Sequence, residues 1–205
     1  MLLQYLNEHQ TSLKLELKLL QQEVQMSNII LRPLKMSDSD FLLELVNNPE
    51  VTKYLPGLIH NKQMLLSWIK SLDDSSHEYI IQLEKSGTDI GECSINRVGK
   101  VLEIGLMLLP QYWNRGYGTE TVRSLLDIAK SSKMKNITAV TDNRNSVMIR
   151  ILENLGFILK NEGWMWKISE DEQDRLNEGQ NIVVYEKVIA PEQVSSNTKR
   201  EKYEE

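Results

Sequence analysis

The sequence predicts one mixed α+β domain, in which helices flank a central, twisted sheet of six or seven mostly antiparallel strands. Three observations indicate this fold class. The chain has 205 residues, of which 40% are hydrophobic and 26% charged, the balance of one globular domain. Its first half alternates short apolar runs with turn residues, which favours hairpins. Its second half alternates strand-like and helix-like runs, which favours a crossover and therefore a parallel strand pair.

The first elements of the domain are predicted to be a strand and a helix. Ile29–Leu34 is a short apolar run typical of a strand. Ser37, followed three residues later by Asp40, is typical of the cap of a helix over Phe41–Val46. The run Asn47–Pro49 is then expected to end that helix.

A second helix and a hairpin are predicted next. Tyr79–Leu83 and Ile90–Ile95 indicate two strands joined by a turn at Lys85–Gly87, and Val101–Leu109 indicates a further strand that Pro110 ends. The helix before them is indicated by four apolar residues on one helical face, namely Leu65, Trp68, Ile69 and Leu72.

The second half of the domain is predicted to alternate helices and strands. Ile137–Thr141 indicates a strand, Val147–Leu155 a helix with Gly156 at its C-cap, and Met165–Ile168 and Ile182–Val188 two late strands. The helix that precedes them is indicated by apolar residues on one face, namely Val122, Leu125, Leu126 and Ala129.

The two ends of the chain differ in composition from the domain. We expect residues 1–27 to be an amphipathic helical extension, residues 28–189 to be the domain, and residues 190–205 to be a disordered polar tail rich in Ser, Asn, Lys and Glu. The extension favours a helix docked on the domain or on a second copy of the chain, which leaves a homodimer open, over a helix on a membrane surface. Its apolar stripe is Leu13, Leu17, Leu20 and Val24.

Composition disfavours several classes of protein. The net charge of −5 provides no overall basic field that would attract nucleic acid or anionic lipid. Cys93 is the single cysteine, so an internal disulfide is ruled out and a cytoplasmic protein is expected. No apolar run approaches the roughly 20 residues that a membrane-spanning helix needs. His9, His60 and His77 have no metal-ligand spacing, and we expect no metal.

The strongest local feature is the run Leu106–Glu120, an apolar strand followed by a proline, a loop and a helix. Gly116 and Gly118 let consecutive backbone N–H groups converge, and the first turn of the helix adds unpaired donors and a positive dipole end. This arrangement suits an anion such as a diphosphate. The loop by itself is equally consistent with a tight turn that binds no ligand.

Several motifs in a fixed order resemble one enzyme family. They are Arg32-Pro33-Leu34 with Asp40, Asn48 to Leu55, Glu103 to Leu106, Pro110 to Glu120, and Glu153 to Phe157. Together they resemble the GNAT acetyltransferases, and among these the branch that includes the ribosomal-protein N-terminal acetyltransferases. The resemblance covers Ile29 to Val188, and several ordered motifs are far more specific than one.

The resemblance implies a sheet splayed between its fourth and fifth strands, with acetyl-CoA as co-substrate and no metal. It implies transfer of the acetyl group to a primary amine, of a small molecule or of a protein N-terminus, within one ternary complex. The backbone of Met107, Leu108 and Leu109 would hold the pantetheine arm, with Asn145 close to it. The diphosphate would be bound at the loop residues, which are Asn114, Arg115, Gly116, Tyr117, Gly118 and Thr119.

Glu103 is the candidate general base. It shares a strand face with Gly105 and Met107, and a solvated strand residue is the alternative interpretation. An alkyl amine has a pKa of about 10.4 and an α-amine of about 8, so the former depends more on a base. The family's tyrosine acid is replaced by Leu152, so the thiolate would leave unassisted or take a proton from water.

These departures from the family pattern keep a second function open, an acyl-CoA-binding module without turnover. Met148 stands where the branch usually has a serine, and Trp113 stands where the family's loop usually has Gln or Arg. Trp113 is as consistent with packing of the loop as with contact to the ligand. The cluster Trp164–Trp166 is equally consistent with the acceptor site and with the core.

Overall fold

The structure is a computed structural model that describes residues 28–55, 62–72, 77–166 and 179–189. In these ranges short 3₁₀ turns precede the first helix and follow the fourth strand. The strands and helices are β1 Ile29–Pro33, α1 Ser39–Asn47, α2 Pro49–Thr52, α3 Lys62–Ser71, β2 Glu78–Leu83, β3 Asp89–Val98, β4 Val101–Leu108, α4 Tyr117–Lys130, β5 Asn136–Asp142, α5 Ser146–Asn154, β6 Ile158–Trp166 and β7 Gly179–Val188.

The strands form one seven-stranded sheet in the order β1-β2-β3-β4-β5-β7-β6. All neighbouring pairs are antiparallel except β4 and β5, which are parallel. A parallel pair needs a crossover, and α4 provides it between these two strands. The predicted mixed sheet flanked by helices is therefore confirmed.

The two faces of the sheet bury separate cores. Ile80 and Ile81 are adjacent on β2 and belong to different cores, because successive side chains of a strand point to opposite faces. Ile81 packs with residues of α4 and α5, among them Val122 and Leu152. Ile80 packs with residues of α1 and α3, among them Leu45. Helices on both faces thus fix β3 and β4 in the middle of the domain.

The first helix begins differently from the prediction. Ser37 lies inside a 3₁₀ turn, and the residue at the N-cap of α1 is Asp38. The Asp38 carboxylate accepts hydrogen bonds from Arg32 Nη1 and from the Lys35 N–H, both at 2.8 Å. Arg32 also donates to Asp89 at 2.7 Å. A tertiary ion-pair network therefore shapes this turn, and the prediction that Ser37 caps the helix was wrong.

The sixth strand is also longer than predicted. It begins at Ile158, where the sequence indicated a strand only from Met165. Ile158 is 66% exposed, so the start of this strand lacks the alternation of buried and exposed residues that predicts a strand from sequence. The strand forms because its backbone pairs with β7, from Ile158 opposite Glu186 to Trp166 opposite Gly179.

Some expectations fall outside the described part of the chain. These are the helical extension over residues 1–27 and the polar tail over residues 190–205. Both remain predictions. Among the described helices, none has the length and apolar character that crossing a membrane requires.

Candidate active site

The candidate site lies where β4 and β5 separate. The two strands pair only from Leu102 opposite Ile137 to Ile104 opposite Ala139. Beyond these pairs β4 continues from Gly105 to Leu108, and β5 continues from Val140 to Asp142. Four residues of β4, about 13 Å of strand, therefore face a gap on the β5 side. This gap is the splay that the resemblance implied.

The backbone of β4 points alternately to β3 and to the gap. The Leu109 N–H donates to the Ile90 carbonyl at 3.0 Å, which places the odd-numbered residues of this stretch on the β3 side. Thr138 Oγ1 donates to the Leu102 carbonyl, which places the even-numbered residues on the β5 side. Leu106 and Leu108 therefore present their backbone groups to the gap.

This geometry shows which of the backbone groups predicted to hold the pantetheine arm face the gap. Both groups of Leu109 are engaged, since its carbonyl also accepts from the Tyr112 N–H at 2.9 Å. Met107 points to β3, because its carbonyl oxygen would lie 2.2 Å from a Cβ placed on Gly91. Of the three predicted residues only Leu108 faces the gap, and alternation adds Leu106, which the prediction omitted.

The loop after β4 turns the chain sharply into α4. Asn114 has a φ of 58° and Gly116 a φ of 85°, so both lie in the left-handed region. Gly116 is the N-cap residue and has no side chain to satisfy the first amides of the helix. The first intrahelical bond runs from the Glu120 N–H to the Gly116 carbonyl at 3.0 Å.

The amides of the first helical turn are consequently available to a ligand. Tyr117, Gly118 and Thr119 have no intrahelical acceptor, because an α-helix leaves its first N–H groups unpaired. The positive end of the dipole of α4, a helix of 14 residues, lies at the same place. A Cβ on Gly118 would lie 3.2 Å from Ile151 and 3.8 Å from Leu108, so the start of α4 packs against the end of β4. The unpaired amides thus adjoin the gap.

Two further loop residues lie at the surface beside these amides. The Arg115 guanidinium lies 5.9 Å from the centre of the Tyr112 ring, and Arg115 is exposed. The ring of Tyr112 is in turn tilted against Tyr117, with centroids 6.5 Å apart. Arg115 therefore adds a positive charge beside the helix start, where an anion would bind.

Glu103 stands at the last paired part of β4, immediately before the gap. It lies opposite Asn96 of β3 and Thr138 of β5. Burial raises the pKa of its half-buried carboxyl. No described residue forms a hydrogen bond or ion pair with the Glu103 carboxyl. A carboxyl with these properties can accept a proton from a group held in the gap.

Sequence reasoning missed a second carboxyl group on the same face. Glu92 on β3 lies opposite Met107 and is buried. Burial raises the pKa of Glu92 well above its ordinary value, and the hydrogen-bonded carboxyl of Glu78 raises it further. Asn96 Nδ2 donates to Glu78 Oε1 at 2.6 Å. A Glu between the buried residues of a central strand was the available signal.

Small residues lie near these carboxyl groups. Ser94 lies opposite Gly105, and a Cβ on Gly105 would lie 3.4 Å from Ser94 Oγ. Gly105 has no side chain, so it leaves room beside Glu103 at the start of the gap.

Asn145 has a structural task that the prediction did not include. It is the N-cap residue of α5, where Oδ1 accepts from the Met148 N–H at 3.2 Å. Its Nδ2 donates to Thr141 Oγ1 at 3.1 Å, which ties the cap to the end of β5 beside the gap. Leu152, at the position of the family's acid, is fully buried in the core.

No catalytic or metal-binding role was predicted for Cys93 or for the histidines. Cys93 is buried in the core, and burial raises the pKa of its thiol, as expected for an inert cysteine. His77 is exposed, while His9 and His60 lie outside the described residues. The described part of the chain contains no group of three His, Cys, Asp or Glu side chains placed to hold a metal ion.

Residues 28–158 match the family described as the acetyltransferase (GNAT) domain, which is more than half of the chain. The chain belongs to this family. It is thus a GNAT N-acetyltransferase, with the enzymatic class and the acetyl-CoA co-substrate of that family. The free amides of α4 and the gap beside β4 fit a co-substrate with a diphosphate and an extended arm.

Individual relatives support the family and the fold. The chain is 27% identical over 139 residues to the uncharacterized N-acetyltransferase p20 of Bacillus licheniformis, covering 63% of this chain and 78% of the relative. An acetyltransferase of the GNAT family from Bacillus anthracis has a similar structure, with a TM-score of 0.65, 20% identity, and coverage of 78% of this chain and 95% of that one. The spermidine N-acetyltransferase from Vibrio cholerae, in complex with CoA and spermine, has a TM-score of 0.64 at 16% identity and covers 80% and 97%.

Proposed function

We propose that this GNAT protein transfers the acetyl group of acetyl-CoA to a primary amine by direct attack within a ternary complex. The observation that carries the proposal is the free amide row of α4 at the mouth of the gap between β4 and β5. The amides suit an anion, the gap suits an extended chain, and the two are adjacent.

The diphosphate of acetyl-CoA would accept hydrogen bonds from the amides of Gly116, Tyr117, Gly118 and Thr119. Main-chain donors at a helix start suit such an anion without any basic side chain in the loop. The exposed guanidinium of Arg115 adds a positive charge at the same place. Asn114, with its left-handed φ of 58°, supports the turn that exposes these amides.

The pantetheine arm would lie along β4, because Leu106 and Leu108 present backbone groups to the gap. Asn145 caps the helix that follows β5 and would adjoin the arm from the other side. Holding the thioester beside the amine removes much of the entropic barrier of a bimolecular reaction. A backbone N–H of β4 would polarise the thioester carbonyl as its oxygen becomes negative.

The chemical step is nucleophilic substitution at the thioester. The amine nitrogen attacks the carbonyl carbon, a C–N bond forms, and the C–S bond breaks in the collapse of the tetrahedral intermediate. Glu103 would accept the proton that the amine loses, directly or through water. The thiolate would take its proton from water, since the buried Leu152 offers none. A thiol pKa of about 8.5 makes this thiolate a tolerable leaving group.

The electrostatics of the site favour a cationic acceptor over an anionic one. Glu78 and Glu103 lie on one face of the sheet, with Glu103 at the start of the gap. Carboxyl groups of this kind attract ammonium ions and repel carboxylates. A small-molecule amine and a protein N-terminal amine both fit. The solved neighbour in complex with spermine is consistent with the former, while the sequence resemblance favours the latter.

A co-substrate titration and an acceptor screen test the proposal. Calorimetry should detect CoA binding to the full chain in the absence of an acceptor. A panel of polyamines, aminoglycosides and peptides with free N-termini should then reveal consumption of acetyl-CoA with at least one member. Binding of CoA without turnover of any acceptor would favour the module without catalysis and contradict the proposal.

The setting of the protein is proposed from its composition. The single buried cysteine suits a reducing compartment, and we propose the cytoplasm. The net charge of −5 argues against nucleic acid as a partner. A homodimer stays a prediction that sedimentation or light scattering can test.

A further inference from the structure

Trp113 forms a hydrogen bond that bears directly on the proposed co-substrate site. Its indole Nε1–H donates to the Leu108 carbonyl at 2.7 Å, across the turn that follows β4. The Trp113 N–H donates to the Pro110 carbonyl at 3.1 Å, which holds the backbone at the base of the loop. The side chain is 38% exposed, so burial of the ring does not account for its place. The specific contact is the one between the indole and the end of β4.

This contact engages one of the two acceptors that face the gap. The backbone groups of β4 that face the gap belong to Leu106 and Leu108. The indole already bonds the Leu108 carbonyl, so a second hydrogen bond to that oxygen is less favourable. This part of the strand keeps two donors, the N–H groups of Leu106 and Leu108, and one acceptor without a described partner, the Leu106 carbonyl. A chain with amide groups that lies along β4 therefore meets a fixed order of donors and acceptors.

We propose that Trp113 is a positioning residue that sets the register of the pantetheine arm along β4. The inference rests on the proposed acetyl-CoA site. The arm carries two amide groups, each with one donor and one acceptor, and a strand repeats its groups every two residues. Without the indole, an amide N–H of the arm could bind the Leu108 carbonyl as well as the Leu106 carbonyl. The two registers differ by about 6.6 Å along the strand.

A displacement of that size decides whether the reaction occurs. The amine nitrogen and the thioester carbon must approach within about 3–3.5 Å for attack. An arm bound in the displaced register would hold the thioester away from Glu103 at the other end of the gap. The Trp113 bond thus permits one register, in which the thioester reaches the amine. Binding of the diphosphate does not depend on this register, because the amides of α4 form a separate site.

Two variants separate this task from simple packing of the loop. Trp113→Phe keeps an aromatic ring and removes the donor, whereas Trp113→His keeps a ring N–H. Trp68→Phe on α3 is the matched control, since the described contacts of Trp68 include no hydrogen bond from its ring. Each variant is titrated with CoA and with adenosine 3′-phosphate 5′-diphosphate, which keeps the diphosphate and lacks the arm. Circular dichroism verifies the fold, and kcat is measured with an acceptor that the wild type uses.

We expect Trp113→Phe to lower kcat about two- to tenfold and to leave CoA affinity equal to or tighter than that of the wild type, because the freed Leu108 carbonyl adds a bound register that does not react. Affinity for adenosine 3′-phosphate 5′-diphosphate should be unchanged, and Trp113→His should restore most of the loss in kcat. Similar losses of affinity for the two ligands would show that Trp113 only holds the loop, and an unchanged kcat would show no role. Both results overturn the inference and leave the acetyl-CoA site standing. Failure of the wild type to bind CoA overturns the site as well.

A measurement on the wild-type protein keeps the inference testable if Trp113→Phe does not fold. The indole N–H of Trp113 should remain protected from hydrogen exchange when CoA is bound, because the register requires the bond to persist. Loss of that protection on addition of CoA would mean that the arm displaces the indole, and the inference would be wrong.

Discussion

Replacement of Gly116 by alanine should disrupt the co-substrate site through the backbone alone. Gly116 has a φ of 85°, and a Cβ placed there would meet nothing within 4 Å. The cost is therefore backbone strain, about 1–2 kcal/mol for an L residue in the left-handed region. In a domain of this size the melting temperature should fall by about 2–8 °C.

Gly87 is the matched control for that strain. It lies in the turn between β2 and β3, has a φ of 67°, and would also place its Cβ in open space. Gly87→Ala should lose a similar amount of stability, because the same conformation is penalised. It should not affect the co-substrate, because the turn is not part of the candidate site.

The two variants should differ in their affinity for CoA. If the loop of Gly116→Ala relaxes towards a right-handed conformation, at least one amide turns away from the diphosphate. A hydrogen bond to a charged group contributes about 1.5–3 kcal/mol, so affinity should fall about 10- to 150-fold. Thermal unfolding and calorimetric titration measure both quantities on the same samples. Equal stability losses with wild-type CoA affinity in both variants would refute the reasoning.

Three further predictions concern charged side chains, two at the candidate site and one in the ion-pair network at the start of α1. Glu103→Gln should lower kcat/KM about 10²- to 10⁴-fold and abolish the increase of kcat/KM with pH above the ordinary Glu pKa. A full rate at every pH would show that Glu103 is not the base. Glu92→Gln should stabilise the protein at pH 7 but not at pH 4. Because the folded-state pKa of Glu92 is raised, the free energy of unfolding of the wild type falls as pH rises above the unfolded-state pKa of about 4.3, by about 1.4 kcal/mol per pH unit. Urea unfolding of both proteins at the two pH values tests this, and parallel pH dependences would contradict it. Arg32→Ala should reduce the free energy of unfolding by about 1–3 kcal/mol, since it leaves Asp38 and Asp89 without their shared cation, and an unchanged urea midpoint would contradict that role.

The sequence predicted the features that local chemistry determines. The loop with Gly116 and Gly118 was predictable because the turn and the close approach to Ile151 each require a glycine. The buried face of α4 was predictable because Val122 and Leu125 recur at helical spacing and are both fully buried. In these places the signal and its cause lie within a few residues of each other.

Features that depend on distant contacts were missed. The start of α1 depends on Arg32, which pairs with Asp38 from a strand six positions earlier in the chain. Strand β6 depends on pairing with β7 and begins at the exposed residue Ile158. Neither contact leaves a local pattern in the sequence.

The details of the site also depend on contacts between strands. Which amides of β4 face the gap follows from the register with β3, where the Leu109 N–H bonds to Ile90. Alternation along one strand groups its residues into two sets but does not tell which backbone groups a neighbour uses. The proximity of Glu92 to Glu78 likewise results from the pairing of β2 with β3.

A crystal structure of the full chain with CoA tests the central claim most directly. The account expects the diphosphate within hydrogen-bond distance of the Gly116–Thr119 amides and the arm between β4 and β5. It would be contradicted by CoA elsewhere, for example in the groove lined by Arg123, Lys130 and Lys187 between α4 and β7. A saturated crystal with no CoA at the start of α4 would contradict it as well.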